Sequence, residues 1–79
     1  MKVITSTGVE LDTDGGWAKD ATEYAKEKGL SNFIVVVATH PNGSKEYLIL
    51  ENNQPHFSST SYEAILCHFD MLWLANKKS

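Results

Sequence analysis

The run Phe33-Ile34-Val35-Val36-Val37-Ala38-Thr39 constrains this chain more than any other feature. It is apolar and mostly β-branched, without the spacing of a one-sided helix, and it suits the centre of a sheet. Pro41-Asn42-Gly43-Ser44 follows, and then Glu46-Tyr47-Leu48-Ile49-Leu50. Asn-Gly between two strand-like runs is the strongest short hairpin signal. Asn52-Asn53 marks a second tight turn, and Pro55-His56-Phe57-Ser58 reads as a short edge strand, where proline need not donate to a ladder. Residues 33–58 therefore form a three-stranded meander.

The flanks complete the fold. Lys2 to Leu11 suits a strand, or a small ribbon turning at Thr7-Gly8. Trp17, Ala21, Tyr24, Ala25 and Lys28 recur at three- and four-residue steps, predicting a helix near residues 15–28 with Thr13 or Asp14 as N-cap. Gly29 stands where a left-handed C′ residue belongs, and Leu30 can reach Ala25 to complete a Schellman stop. Thr60-Ser61-Tyr62-Glu63 reads as a capping box with Thr60 as N-cap. A helix then runs to about Asn76, with Lys77-Lys78 complementing its dipole. The prediction is an α+β domain of order β-α-β-β-β-α: a three- or four-stranded antiparallel sheet with two helices packed on one face. Its 79 residues make one domain, residues 1–79. Such a chain buries only about 60% of its unfolded surface.

Two-residue loops at Asn42-Gly43 and Asn52-Asn53 would set the register of the meander. Phe33, Val35, Val37, Leu48, Leu50, Pro55 and Phe57 would then face the helices. The opposite face would carry Ile34, Val36, Ala38, Tyr47, Ile49, Glu51, Gln54, His56 and Ser58. An apolar centre with a polar margin suits a protein-binding patch, so Val36, Tyr47, Ile49 and His56 are the candidate partner-binding residues. The last helix has two apolar stripes. Tyr62, Ile65, Leu66, Phe69, Leu72 and Trp73 form the core face. Past a polar wedge of Glu63, Asp70 and Lys77 lie Ala64, Cys67, Met71, Leu74 and Ala75. The first helix offers a thin stripe of small residues to cover them, so Cys67, Met71 and Leu74 are the candidate self-association residues.

Several chemistries fit poorly. Cys67 and His68 are adjacent and diverge by about 100° on a helix, so they do not chelate together. The two-residue register puts His56 about 13 Å from His40 along the strands, too far to share an ion. Asp12-Thr13-Asp14-Gly15 opens like a calcium loop but lacks the later ligands and the closing Glu. Gly15-Gly16 could receive an anion at a helix N-terminus, against the charge of Asp12 and Asp14. Cys67 among apolar helix neighbours is an inert thiol. No metal, no cofactor and no catalytic residues are expected, and the chain is not read as an enzyme. The charge is −3, from 7 Lys+Arg against 10 Asp+Glu, and there is no arginine. A phosphate-reading surface needs clustered Lys or Arg, which argues against nucleic acid. A single cysteine and no long apolar run imply a reduced, cytoplasmic protein without a membrane segment.

The order helix, three-stranded meander, helix over residues 15–76 resembles double-stranded-RNA-binding domains and HicA-type toxin ribonucleases. The resemblance lies in topology and implies, as the alternative function, a nucleic-acid-associated domain. Those families carry a basic cluster at the start of the last helix, or a histidine in a Gly-Ser-His context. Here the helix opens Thr60-Ser61-Tyr62-Glu63, and His40 follows Ala38-Thr39. The residues favour a non-catalytic protein–protein interaction module, an adaptor, regulator or small phage-type inhibitor that binds another protein and forms a homodimer.

Overall fold

The computed structural model describes residues 2–15 and 17–78, with side chains described as far as Asn76. Gly16, half of the glycine pair considered for an anion, and the side chains of Lys77 and Lys78 lie outside the described residues. The elements are β1 (Lys2–Ile4), β2 (Glu10–Asp12), α1 (Ala18–Glu27), β3 (Phe33–Thr39), β4 (Lys45–Glu51), β5 (Gln54–Ser59) and α2 (Tyr62–Lys78). Among the described residues the strands make one antiparallel five-stranded sheet in sequence order. The class is α+β as the sequence implies, but the sheet has five strands rather than three or four. The additional strand arises because Lys2–Asp12 is a ribbon, β1 paired with β2, and β2 then docks on β3.

Both hairpins at one end of the sheet use the same turn. Gly8 N–H donates to Thr5 O and Thr5 N–H to Val9 O; Gly43 N–H donates to His40 O and His40 N–H to Ser44 O. Each is a three-residue loop closed by a glycine at positive φ, +85° at Gly8 and +91° at Gly43. This is a type I turn followed by a left-handed residue, the next commonest hairpin link after the two-residue one. Asn42-Gly43 is therefore part of a three-residue loop, which corrects the register by one residue. Val35 pairs with Ile49 and Val37 with Tyr47. A shift of one residue exchanges the two faces of a strand. Tyr47 and Ile49 turn to the helices, and Leu48 and Leu50 turn away. Asn52 and Asn53, at φ 52° and 68°, do form the two-residue turn, and Gln54 and Pro55 pair with Glu51 and Leu50. The ladder then slips: Phe57 pairs with Ile49, so His56 is an extra, bulged residue. Such a bulge re-aims side chains, and here His56 joins Phe57 on the helix side.

The helices cover that side. Ala18, Ala21 and Ala25 of α1 are fully buried, and these small side chains let the helix lie close on β3. Strand β2 stops opposite Val37, so the Val35 N–H beyond it lacks a strand partner; it donates to Thr22 Oγ1 at 2.9 Å. The end of α1 is the predicted Schellman motif, with Leu30 N–H to Ala25 O at 2.9 Å and Gly29 N–H to Lys26 O at 3.0 Å. Its start differs. Trp17 is the cap residue with no side-chain cap bond, while the Asp12 carboxylate accepts from Asp14 N–H. Helix α2 is capped by Ser61, whose Oγ accepts from Ala64 N–H at 3.3 Å, one residue later than the predicted Thr60. Ile65 and Phe69 are fully buried, and Phe69 meets Phe33 edge-on at 6.0 Å. Tyr24, Val37, Tyr47, Phe57, Tyr62, Leu66 and Leu72 complete this core.

Candidate functional site

The two candidate surfaces fare differently. Of the four residues assigned to the open sheet face, Val36 alone lies there, and its neighbours close over it to 1% exposure. Ile49 is 0% exposed in the core, and Tyr47 packs on the Tyr62 ring at 5.7 Å. His56 lies against Phe33 at 5.3 Å. The one-residue register and the bulge at His56 are the reasons. The uncovered face is instead built on Ile34, Val36, Ala38, Leu48 and Leu50. A shallow groove of about 330 Å³ crosses it, with Val9, Leu11, Leu50 and Pro55 in its walls.

The self-association residues stand where they were placed, on the outside of α2. Met71 is 67% exposed, Leu74 is 48% exposed, and Cys67 is a free, exposed cysteine. Helix α1 leaves this stripe bare because it meets α2 along the polar wedge. Tyr24 Oη donates to Asp70 Oδ1 at 2.5 Å, and Lys28 Nζ lies 3.5 Å from the same oxygen. The Lys28 ammonium also sits 5.0 Å from the Tyr24 ring centre and 4.6 Å from that of Trp73. One lysine thus bridges a carboxylate and two rings at the helix–helix seam. The bond to Asp70, with partial burial, raises the Tyr24 phenol above its ordinary value.

A second constellation joins β5 to α2. His56 Nε2 and His68 Nε2 are 2.9 Å apart, with ring centres at 5.0 Å. Phe57 stacks on His68 at 4.3 Å with the planes 1° apart. Behind His56, Glu51 Oε1 lies 3.6 Å from Nδ1, and Asn32 Nδ2 donates to Glu51 Oε2 at 3.3 Å. Burial, with a smaller contribution from His56, holds the His68 imidazole below its ordinary value. The sequence reading paired His56 with neither Glu51 nor His68. The available signal was the position of His68, one residue before the buried Phe69 and beside the core stripe; the bulge that aims His56 at it had none.

Among the described residues no three His, Cys, Asp or Glu side chains converge as a metal-binding group, and no helix is long and apolar enough to cross a membrane. Comparison of the chain with models of protein families, with curated proteins and with solved structures finds no match in any of the three.

Proposed function

We propose that this chain is a non-catalytic protein-interaction module that docks through the outer face of α2, and that its first partner is a second copy of itself. The observation that carries the reading is the exposure of Met71 and Leu74 on a helix whose opposite face carries the buried Ile65 and Phe69. Exposed large apolar groups clustered on one element mark an interaction site. Ala64, Cys67, Met71 and Leu74 follow a three–four–three spacing, the seam of a helix pair. Antiparallel pairing of two such helices sets Ala64 against Leu74 and Cys67 against Met71 of the second copy, small against large. The exposed thiol of Cys67 belongs with the reduced, cytoplasmic setting that this reading includes.

The test is solution mass across a concentration series, with Met71→Glu as the variant. Removing one buried Met from each side of a dimer costs about 2 kcal/mol per copy, or about a thousandfold in dissociation constant. The expected result is a dimer that becomes a folded monomer on substitution. A wild-type chain that stays monomeric at high concentration, or a variant that dimerises unchanged, overturns self-association through this face.

A further inference from the structure

We propose that His56 and His68 form a binding site for a divalent transition-metal ion, coordinated by their two Nε2 atoms, with Glu51 as the carboxylate that orients His56. Imidazole nitrogens bound at about 2.05 Å lie about 2.9 Å apart when they subtend a right angle at the metal, and about 3.3 Å apart at the tetrahedral angle. The observed separation is 2.9 Å. The separation matches right-angled coordination, the geometry that suits Cu²⁺ and Ni²⁺ with nitrogen and oxygen ligands, better than tetrahedral zinc. The ring centres, 5.0 Å apart, show the rings meeting head-on, so binding tilts both towards one side of the line that joins the nitrogens.

Both rings are held by their surroundings. His68 is fixed by the stacked Phe57 ring and His56 by the edge of Phe33. Metal-bound histidines characteristically present their other nitrogen to a carboxylate or carbonyl, which fixes tautomer and orientation. Glu51 stands in that position at 3.6 Å from His56 Nδ1 and is itself held by Asn32. A proton on Nδ1, facing Glu51, leaves the His56 Nε2 lone pair free. Without metal, that lone pair accepts the Nε2–H of His68. On binding, the His68 proton moves to its own Nδ1 and the ion sits to one side of the line between the nitrogens, about 2.05 Å from each, so two neutral imidazoles coordinate with no net proton change. The His56 side chain is 28% exposed, so water can fill the remaining coordination positions. Cys67 diverges from His68 around the helix and is no third ligand.

The experiment is calorimetric titration of the whole chain with Ni²⁺ near neutral pH; Ni²⁺ serves because Cu²⁺ would oxidise the exposed thiol of Cys67. The expected result is one Ni²⁺ per chain. His56→Ala and His68→Ala each lower affinity by more than about tenfold, and Glu51→Gln by about tenfold. His40→Ala, which alters a histidine paired with Glu46 at 3.1 Å, leaves affinity unchanged. A second measurement needs no substitution: Ni²⁺ should broaden the amide resonances of residues 55–58 and 66–70 before all others. Absence of binding at millimolar Ni²⁺, full affinity in either histidine variant, or broadening centred on His40 would show a hydrogen-bonded pair only and overturn the site.

Discussion

Tyr24 donates its phenolic hydrogen to Oδ1 of Asp70 at 2.5 Å, joining α1 to α2 across 46 residues of chain. This bond decides which side of α2 is available to anything else. It draws α1 against the polar wedge and leaves Cys67, Met71 and Leu74 facing outward. A seam through the apolar stripe would have hidden those residues and exposed the carboxylate.

Tyr24→Phe removes the bond while keeping the ring under Lys28. The variant should fold with a lower urea midpoint. The wild-type phenol, held above its ordinary value of 10.0 chiefly by the bond to Asp70, should titrate late in an ultraviolet pH titration. The folded state keeps this proton more tightly than the unfolded chain. Its contribution is therefore intact below pH 10.0 and is lost as pH rises beyond it. An unchanged midpoint in Tyr24→Phe would show that Lys28 and Asp70 alone hold the seam.

Ile49→Ala should cost about 2–5 kcal/mol, the range for emptying a fully buried aliphatic site. Small domains hold about 0.05–0.15 kcal/mol per residue, so that loss is a large share of the total. Circular dichroism should show the variant partly unfolded at room temperature. Full stability would place Ile49 outside the core and return the meander to the two-residue register.

The two glycine sites separate strain from collision. Gly43 has φ +91° and open space around a would-be Cβ, so Gly43→Ala should cost about 1 kcal/mol through backbone strain alone. At Gly15 a Cβ would meet Asp12 Oδ2 at 2.7 Å. Gly15→Ala should therefore disturb the Asp12 carboxylate and its bond to Asp14 N–H, visible as a shift of the Asp14 amide resonance. Equal, small effects at both sites would contradict this distinction.

The histidine pair gives stability a dependence on acid. Burial, and then His56, hold His68 below its ordinary value of 6.5. The unfolded chain thus takes up this proton at higher pH than the folded one. Stability should be intact above pH 6.5 and fall as pH drops towards the lowered folded value. The groups facing the pair are Glu51 from β4, Phe57 from β5 and Phe33 from β3. His68→Phe keeps the stack on Phe57 and should flatten the pH dependence of the melting temperature. A melting temperature that does not change between neutral and mildly acidic pH in the wild type would contradict the shift.

Local signals in the chain carried far. Gly29-Leu30 ended α1 as written, because the left-handed C′ and its apolar contact involve only neighbours in sequence. The core stripe of α2, with Ile65 and Phe69 at its centre, follows from helical period alone. So does the outward stripe of Met71 and Leu74. The caps shifted by a residue or more, since Ser61 and Thr60 offer the same hydroxyl and only the incoming chain direction selects between them.

What the sequence by itself determined was the three-stranded meander, the two helices and their order, the buried face of each helix and the exposed stripe on α2. These depend on periodicity and short-range hydrogen bonds. That Lys2–Asp12 forms two strands was decided by pairing. What only the tertiary structure decided was which sheet face each β4 residue occupies, and which histidine meets which. Asn42-Gly43 is compatible with a two- or a three-residue loop, and the choice reverses an entire strand because side chains alternate with period two. The three-residue loop puts Tyr47 and Ile49 under the helices, where their apolar area is buried, and the bulge then turns His56 towards His68. That choice is made by the packing of distant residues against one another.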